Sequence, residues 1–575
     1  DKPVGQVVRL SDRDGDGRMD DSEVFLGELV NPRAVAVVNE GILIGEPPHL
    51  WLCELPTPDA VCENRRSVGG YATEAGANVE HMENGLRQGL DNWLYNAKSR
   101  RRLRLVDGEL QEREDLFRGQ WGITKDDYGR WLYNHNSTWM QADFFRAEDI
   151  VIPGVQSYPA GLGVNLTKPA EVYSVRVNPG VNRAYLDDTL RKDGRLARAT
   201  GASGLVAYRG DQFPAEYAGD VFVPESAGNV VAQFDMREQG MELSATQRLY
   251  DDPQWGQRDF LGSTDERFRP VDAMNGPDGA LYIIDMYRGI IQDDHFLTDE
   301  LREQIFQREL ESPLGMGRIW RVRHTQGTDN APVVLAGATD AELLAALSHG
   351  NGWVRDTAQR LLLAREADLS AALTELALGD ATVPALHALW TLQGRGELQR
   401  ELVLQLARTA DTQRQLHALR AGAQLLQRQD LLDLLQEQLA ADEAVRMQLA
   451  FASTAHAADP AVRALLARLL TGSDGSAYVR QAVLRAIVGH EYEFLAEYLE
   501  SGLAGAPDKG VTRTLLGLSA NAYRSLRGDL GSAEPANPQL LQLLALLQSR
   551  RGEQAWQQIA MLQGLATMTR ARGFV

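Results

Sequence analysis

The sequence is poor in cysteine, in basic charge and in long apolar runs, and each shortage excludes a class of protein. Only 59 of the 575 residues are Lys or Arg against 79 Asp or Glu, which gives a formal net charge of −20. A nucleic-acid-binding surface needs clustered basic residues, so this composition argues against that function. The one dense basic run, residues 98–104, is typical of a solvated hairpin end. Because no run of 18 apolar residues occurs, we expect no transmembrane segment.

The only two cysteines, Cys53 and Cys62, flank a proline-rich stretch. This spacing predicts a disulfide that closes a short loop, with two unrelated thiols as the alternative. An oxidised pair indicates a periplasmic or secreted protein. The sequence contains no Cys-x-x-Cys-His motif, so we expect no haem to be attached to this chain.

Five segments share one pattern, in which a turn rich in Asp, Asn and Gly joins two short apolar runs. The clearest copies are residues 84–96, 120–134 and 269–285, and the weaker ones are residues 33–45 and 218–229. Each copy predicts a β-hairpin, because Gly and Asn supply the positive φ that tight turns need. A single hairpin cannot bury its own apolar face. The repeats therefore predict a β-propeller, with a two-layer sandwich of unrelated hairpins as the alternative.

A change in composition near residue 325 divides the chain into two predicted domains. Residues 1–324 are rich in Gly, Asn, Asp and aromatic residues and form the predicted propeller, and residues 325–337 are the predicted linker. Residues 338–575 are rich in Leu, Ala, Gln and Arg at helical spacing, with recurring Val-Arg helix starts. Helix pairs that leave an apolar face exposed must stack on neighbours. We therefore predict an all-α, HEAT-like solenoid, with an ordinary helical bundle as the alternative.

An acidic loop near the N-terminus matches the calcium-loop pattern of EF-hands at its side-chain positions. Its predicted ligands are five carboxylates: Asp12, Asp14, Asp16, Asp20 and Glu23. The flanking residues, 5–10 and 24–29, alternate as strands do, so the loop is predicted to be a calcium-clamped turn of a β-protein. A solvated acidic turn without a metal is the alternative.

Polar residues lie just before the first strands of three predicted blades: His81, Arg118, Gln120, Arg267 and Arg269. Because the inner strands of a propeller begin at the same mouth of its channel, we expect these side chains to converge. A neutral imidazole ringed by arginines suits proton abstraction from a hydroxyl beside an anionic group. In the alternative, His81 bonds a backbone carbonyl and each arginine pairs with a nearby acid such as Glu80 or Asp265.

The chain from Asp12 to about His324 resembles the propeller of a family provisionally named membrane-bound dehydrogenases. The shared motifs are Asp12–Asp20, Asn78–Gly85, Asn178–Arg183, Tyr208–Asp211, Phe268–Val271 and Gly276–Gly279. Members of that family commonly continue into HEAT-like helices and often into a c-type cytochrome domain, which is absent here.

The same region is more distantly similar to soluble quinoprotein glucose and sorbosone dehydrogenases, which are six-bladed and use pyrroloquinoline quinone and calcium. That resemblance implies that His81 is the general base and that Arg118, with Gln120 beside it, lies at the quinone site. It also implies that Arg267 and Arg269 contact the cofactor. One position departs from the pattern, since Ala227 stands where those enzymes have a quinone-binding lysine.

These observations lead to three functional hypotheses. The first is a periplasmic quinoprotein-type dehydrogenase that oxidises a sugar or polyol hydroxyl and passes electrons to an external cytochrome. The second is a non-redox propeller, stabilised by calcium, that binds carbohydrate or catalyses an elimination. The third is a protein-interaction scaffold in which the helical domain docks a partner. For a six-bladed ring we further expect residues 317–322 to pair near residues 5–10 and so close the propeller.

Overall fold

The computed structural model describes residues 2–57, 59–73, 78, 80–146, 160–182, 184–470, 476–526 and 538–570. The described residues up to Arg146, together with Gly161–Leu373, form one unit, and the residues from Thr374 onward form a second. The first unit is a β-propeller and the second is helical. Across the described part of the chain, every helix is too short or too polar to span a bilayer.

The first unit begins with a hairpin and continues into five blades of antiparallel strands. The hairpin pairs β1 (Gly5–Ser11) with β2 (Asp21–Leu29). The strands of the first blade are β3 (Ala34–Val38), β4 (Gly41–Glu46), β5 (His49–Cys53) and β6 (Arg65–Gly70). Those of the second are β7 (Asn84–Gln88), β8 (Leu94–Ala97), β9 (Arg101–Val106) and β10 (Glu109–Glu114). Those of the third are β11 (Ile123–Lys125), β12 (Trp131–His135), β13 (Thr138–Ala142) and β14 (Val164–Asn165).

The last two blades are less regular than the first three. The fourth contains β15 (Val206–Ala207), β16 (Val221–Glu225), β17 (Val230–Gln239) and β18 (Glu242–Arg248). A small hairpin of β19 (Tyr250–Asp252) and β20 (Gly256–Arg258) follows, and β21 (Leu261–Gly262) then pairs with β17. The fifth blade contains β22 (Pro270–Asn275), β23 (Leu281–Asp285) and β24 (Arg318–Val322). Helix α1 (Asp299–Gln307) lies in the connection between β23 and β24.

The first strand of each blade lies nearest the centre of the propeller. These strands contact one another in succession, β3 with β7, β7 with β11, β11 with β15, and β15 with β22. Apolar cores fill the spaces between neighbouring blades. Leu50, Leu86 and Leu103 belong to one such core, and Trp93 and Trp131 belong to another. Since burying one leucine contributes about 2–3 kcal/mol, these cores are the main source of blade stability.

Short polar turns join the first and second strands of four blades, as the sequence pattern predicted, whereas residues 208–220 join them in the fourth blade. In the third blade, Asp126 accepts hydrogen bonds from the backbone N–H groups of Tyr128 and Arg130, at 3.0 and 2.9 Å. In the fifth blade, Gly279 has a φ of +76°, and a Cβ there would lie 2.1 Å from Oδ1 of Asp211. Only glycine meets both requirements at that turn.

The prediction of six blades is wrong, because five are present. The five sequence repeats each became one blade, and the sixth was inferred from the resemblance alone. The length that another blade would need lies in irregular connections: among the described residues between 160 and 205, only the two-residue strand β14 forms. The predicted closure is also wrong. In the described part of the chain β24 pairs with β23 and β1 pairs with β2.

The predicted disulfide between Cys53 and Cys62 is confirmed. It links the end of β5 to the loop that leads into β6. Cys53 is fully buried beside Phe25, Leu29 and Ile44, so the bond anchors this loop on the core that joins the hairpin to the first blade.

Two helices belong to the propeller unit although they follow the predicted linker. They are α2 (Asp340–Ala346) and α3 (Gly352–Leu363). Thr339 caps α2, because its side chain accepts a hydrogen bond from the backbone N–H of Glu342 and the Glu342 carboxylate accepts one from the backbone N–H of Thr339. Helix α3 contacts the turns of several blades.

The second unit consists of helices joined by short loops. After α4 (Ser370–Leu378), which crosses the unit boundary, the described helices are α5 (Thr382–Gly394), α6 (Arg400–Leu406), α7 (Thr412–Ala421), α8 (Arg428–Glu437), α9 (Glu443–Ala452), α10 (Pro460–Leu469), α11 (Ala477–Ala486), α12 (Glu491–Glu500), α13 (Lys509–Leu526), α14 (Pro538–Ser549) and α15 (Ala555–Arg570). The odd-numbered helices from α5 to α15 contact one another in succession. The even-numbered helices from α8 to α14 do so as well. The helices therefore form two layers. Their HEAT-like character stays a prediction.

Candidate functional site

A cavity of about 710 Å³ lies where the inner strands of the propeller begin. Its walls include residues that closely precede four first strands: His81 before β7, Trp121 before β11, Ser203 before β15 and Arg269 before β22. The volume is within the usual range for small-molecule sites in proteins. Residues of four different types, each just before an inner strand, thus meet at one opening of the propeller.

His81 is half-buried in the wall of this cavity. Its imidazole stacks on Phe296 with 5.5 Å between ring centroids and meets the edge of Trp121 at 6.1 Å. The backbone N–H of His81 donates to the carbonyl of Asn78 at 2.8 Å. Within the described residues, neither imidazole nitrogen makes a hydrogen bond, so both remain available to a ligand.

Arg269 is buried in another wall of the cavity. Its guanidinium donates to three backbone carbonyls, those of Ser226 and Gly289 at 2.7 Å and that of Arg288 at 3.0 Å. In the described part of the chain it forms no ion pair with a carboxylate. Burial lowers the pKa of Arg269 to about 10, so the group keeps its positive charge at neutral pH. The cavity therefore contains a rigidly held cation that a ligand anion could neutralise.

Arg118 lies away from the cavity, in a buried ion-pair network between the second and third blades. Its guanidinium is 3.0 Å from Asp115 and 2.7 Å from Asp143, and all three side chains are almost fully buried. Burial opposes the charge, but the Asp115 and Asp143 carboxylates raise the pKa of Arg118 above its usual value. For Arg118 the geometry is that of the alternative, in which an arginine pairs with nearby acids.

Gln120 and Arg267 also lie outside the cavity lining. The backbone of Gln120 bonds Asn134 and the side chain of Asn84, which links the second blade to the third. Arg267 donates to the carbonyls of Ser312 and Glu309, at 3.1 and 3.0 Å, and so holds the chain that follows α1. Of the five residues predicted to converge, the structure places His81 and Arg269 at one cavity.

The connection between β23 and β24 covers the cavity, and no sequence pattern indicated it. It contributes Ile290, Gln292, Phe296 and two apolar residues of α1 to the walls. The Glu80 carboxylate accepts hydrogen bonds from the side-chain amide of Gln292 and the backbone N–H of Asp293. These bonds hold the cover beside His81.

Asn182 fastens the same cover from the opposite side. Its side-chain amide donates to the carbonyl of Phe296 at 3.0 Å, and its oxygen accepts from the Thr298 hydroxyl at 3.0 Å. Asn182 belongs to the motif Asn178–Arg183 of the family resemblance, but nothing in the sequence indicates a contact of that motif with residues 296–298. Arg183, the last residue of that motif, lies outside the described residues.

The turn between β16 and β17 forms another wall and contains Ala227, the position where a lysine was expected. Beside it, the buried carboxylate of Glu225 accepts hydrogen bonds from the backbone N–H groups of Thr200 and Gly201, at 3.0 and 2.6 Å. Burial raises the pKa of Glu225, whereas these backbone donors oppose the rise. Glu225 thus stabilises the turn through these hydrogen bonds.

The cavity offers a poor fit to pyrroloquinoline quinone. That cofactor has three carboxylates, and Arg269 is the one cationic side chain among the described residues that line the cavity. Arg118 is committed to Asp115 and Asp143, Arg267 to two carbonyls, and position 227 has no charge. The residues present therefore support no chemical step through a quinone.

The acidic loop is separate from this cavity. Carboxylate oxygens of Asp12, Asp14 and Asp20 lie within 4.8 Å of one another, and all three residues are exposed or half-buried. All four aspartates of the loop accept a hydrogen bond from a backbone N–H group, but Asp16 lies outside the group of three, and Glu23 pairs with Arg9. Three oxygen donors thus come together, and such a donor set fits a hard cation such as Ca²⁺.

Several proteins of known structure are distantly similar to this chain, among them the following three. A luciferin-regenerating enzyme is 9% identical with a TM-score of 0.29, and the match covers 54% of this chain and 84% of that enzyme. A protein from Thermus thermophilus, provisionally assigned as an oxidoreductase (glucose dehydrogenase), is 15% identical with a TM-score of 0.24, covering 49% of this chain and 94% of that one. An engineered protein is 19% identical with a TM-score of 0.20, covering 40% and 98%.

These TM-scores are too low to support an argument about this chain, so its function is argued from the site alone. The curated proteins contain no sequence match to the chain. One family model does match, over residues 1–326, which is more than half of the sequence. The chain therefore belongs to the family described as a domain of unknown function, DUF7133.

Proposed function

We propose that the cavity binds a small, polar, anionic molecule of the carbohydrate type and that His81 removes a proton from it. One observation supports this most directly: His81 and Arg269 line the same cavity, the first without a hydrogen bond from its imidazole among the described residues and the second without a carboxylate partner there. A buried guanidinium without a countercharge is unfavourable, because a desolvated charge is normally paired, and the imidazole of His81 is free to act on a molecule bound beside it.

The chemistry follows from the two groups. A neutral imidazole nitrogen of His81 accepts a proton from a substrate hydroxyl or from a carbon next to a carboxylate. Arg269 holds the anionic group of the substrate and stabilises the negative charge that forms as the proton leaves. Trp121 and Phe296 keep the imidazole oriented and offer apolar faces on which a sugar ring can pack.

Two reaction classes share this first step. In an oxidation, the hydroxyl proton goes to His81 and a hydride goes to an external two-electron acceptor, which would then pass its electrons one at a time to a cytochrome partner. This is the dehydrogenase hypothesis, with a periplasmic location with which the disulfide is compatible. In an elimination, the proton next to a carboxylate goes to His81, its electron pair forms a carbon–carbon double bond, and a β-oxygen leaves. The single cation in the described lining of the cavity favours a substrate with one anionic group and so supports the second class.

A substrate panel tests the proposal and separates the two classes. Neutral sugars, polyols and sugar acids are incubated with the purified chain, with and without an artificial electron acceptor. Dye reduction that requires the acceptor supports a dehydrogenase, whereas an ultraviolet-absorbing unsaturated product without any acceptor supports an elimination. If sugar acids neither bind nor react in either condition, the proposal is wrong and an interaction role becomes the better hypothesis.

We also propose that the acidic loop binds one Ca²⁺ through Asp12, Asp14 and Asp20. The convergence of three carboxylates supports this, because their mutual repulsion is relieved by a divalent cation. The loop lies beside the last blade, since a Cβ on Gly17 would be 2.8 Å from Nη1 of Arg321 in β24. The ion would therefore stabilise the region where the two ends of the propeller segment approach each other.

A further inference from the structure

The cavity that contains His81 and Arg269 has one apolar wall, which the proposed function does not use. The connection between β23 and β24 builds this apolar wall from six side chains: Met286, Ile290, Ile291, Leu301, Ile305 and Leu310. Leu301, Ile305 and Leu310 are almost fully buried, and Ile290 packs against them in one apolar cluster. These residues give the wall a fixed base.

Two members of the apolar wall are exposed although they are large. Met286 is 40% exposed and Ile291 is 38% exposed. A single exposed apolar side chain needs no explanation, but these two share the wall of one cavity with the half-buried Ile290 and Phe296. Because covering apolar surface is favourable, an apolar group that entered the cavity would gain affinity from this wall.

The apolar wall adjoins Arg269. The backbone N–H of Met286 donates to the carbonyl of Arg269 at 2.9 Å. The guanidinium of Arg269 donates to the carbonyl of Gly289, the residue directly before Ile290, at 2.7 Å. A molecule whose anionic group meets Arg269 therefore has the apolar wall within reach.

The other walls of the cavity are polar. They carry hydroxyl and amide side chains from three other parts of the propeller: Asn136, Ser137, Thr200, Ser203 and Ser226. The volume of about 710 Å³ suits a drug-sized molecule, which is larger than one sugar ring. Polar walls, one buried cation and an apolar wall together fit a molecule that has all three kinds of surface.

We propose that the substrate of this cavity is an amphiphilic sugar acid, in which an apolar group is joined to the sugar and packs on the apolar wall. This inference rests on the proposed function. The anionic group meets Arg269, the sugar hydroxyls meet the polar walls, and the apolar group covers Met286 and Ile291. Aryl and alkyl glycosides of sugar acids belong to this class, and free sugar acids do not.

Calorimetric titration of the full chain tests the inference with three probes: methyl glucuronide, phenyl glucuronide and phenyl glucoside. We expect phenyl glucuronide to bind about tenfold more tightly than methyl glucuronide, because the phenyl ring buries more apolar surface. Phenyl glucoside has no anionic group, so it should bind about thirtyfold more weakly than phenyl glucuronide.

Two substitutions test the wall itself. Met286→Gln keeps the length of the side chain and makes its end polar, and Ile291→Asn is an independent second variant. Each should lower the preference for phenyl over methyl glucuronide about fivefold. Met274→Gln is the matched control, because Met274 is also 40% exposed but lies on β22 outside the cavity lining; its preference should equal that of the wild type. Unchanged thermal melting confirms that the variants fold.

The outcomes separate this inference from the proposed function. Equal affinity for phenyl and methyl glucuronide would overturn the inference, while the proposed function would survive because both probes carry the anion. A preference that persists in both wall variants would also overturn it, since the phenyl ring would then lie elsewhere. Tight, wall-dependent binding of phenyl glucuronide without any turnover supports the inference and contradicts only the catalytic role of His81. If neither glucuronide binds, both are wrong.

Discussion

Charged and titratable side chains lie at both ends of the inner strands, but the two ends differ in whether these side chains are paired. Where these strands begin, the imidazole of His81 has no hydrogen bond among the described residues and Arg269 has no carboxylate partner there. Where they end, helix α3 closes the channel and cations pair with carboxylates. Arg209 lies 2.5 Å from Asp127 and 2.7 Å from Asp356, and the buried Lys125 lies 3.2 Å from the same Asp356. Function is therefore expected at the first end and stability at the second.

Helix α3 makes these contacts with the turns that follow the inner strands. Asn351 donates to the carbonyl of Gly276, and Gln359 donates to that of Leu90, both at 2.8 Å. Arg355 pairs with Asp127. The comparison shows that the charge of an arginine is not by itself a sign of a ligand site; what distinguishes Arg269 is that it lines the cavity and forms no ion pair with a described residue.

The largest expected effect is on catalysis, at the end of the inner strands where His81 lies. Replacing His81 by Ala should lower kcat by about a thousandfold, within the usual range for the loss of a general base. The melting temperature should stay the same, because the imidazole bonds no described residue. Steady-state kinetics on the substrate found by the panel measure this, and His49→Ala, an exposed histidine of the first blade, is the control. Equal losses in both variants would contradict the assignment.

At the other end of the inner strands, where cations pair with carboxylates, we expect substitutions to lower the free energy of unfolding instead. Arg209→Leu leaves Asp127 and Asp356 without one of their cations, and we expect the free energy of unfolding to fall by about 3 kcal/mol. Urea unfolding followed by tryptophan fluorescence measures the change. Removing the exposed Arg237, which pairs with Asp235, should cost less than about 1 kcal/mol. If Arg209→Leu melts like the wild type, α3 does not stabilise the propeller through this network.

Two arginines separated by one residue sharpen the comparison further. Arg269→Gln should weaken binding of a sugar acid about thirtyfold, because the substrate anion loses its charged partner. Arg267→Gln is the matched control, since Arg267 bonds carbonyls outside the cavity. Titration of both variants with the same sugar acid measures the two changes in affinity. A larger effect at Arg267 would place the anion elsewhere.

In the acidic loop, the carboxylates of Asp12, Asp14 and Asp20 form no ion pair with a described residue. Removal of Ca²⁺ with a chelator should lower the stability of the propeller by about 2 kcal/mol, a shift of a few degrees in melting temperature. Asp12→Asn should show a lower melting temperature that no longer responds to the chelator. If the wild type melts at the same temperature with and without chelator, the loop is an acidic turn and binds no calcium.

The smallest effect concerns Asp259, a buried acid that forms no ion pair with a described residue. Asp259 is fully buried and accepts hydrogen bonds from the backbone N–H of Tyr173 and the side chain of Gln247, at 2.8 and 2.7 Å. Burial raises the pKa of Asp259 to about 6. The folded state therefore binds this proton more tightly than the unfolded chain does, so stability rises as the pH falls through about 6.

Between pH 7 and pH 5 this one group should add about 1 kcal/mol to the free energy of unfolding. Unfolding of the wild type and of Asp259→Asn at both pH values isolates the contribution, because the asparagine cannot titrate. A pH dependence that is the same in both proteins would show that other groups cause it.

Local repeats made most of the propeller predictable. In four of the five segments the Asp/Gly turn lies between the first two strands of a blade, because turn chemistry and strand alternation are local properties; residues 218–229 instead cover the second strand of the fourth blade and the turn to its third. The disulfide was predictable for the same reason, since nine positions along the chain bring Cys53 and Cys62 within reach. The number of blades was not, because the resemblance suggested six while the sequence itself showed five repeats.

The candidate site was predictable only in part. His81 and Arg269, which both lie just before an inner strand, line one cavity, whereas Arg118 and Arg267 lie outside its lining. Of the partners of these two arginines, Asp115 is near Arg118 in sequence, but Asp143 and the carbonyl of Ser312 are distant in sequence and near in space. Phe296 and Gln292 reach the cavity through a connection whose sequence resembles an ordinary surface loop.

The sequence by itself determined the hairpin repeats, the acidic loop, the disulfide and the change from strands to helices near residue 325. Each of these depends on residues within about a dozen positions of one another. Only the tertiary structure decided which charges are neutralised, that α3 packs on the turns that follow the inner strands, and that the connection between β23 and β24 lines the cavity. Electrostatic compensation depends on three-dimensional distance and burial, and neither can be read from spacing along the chain.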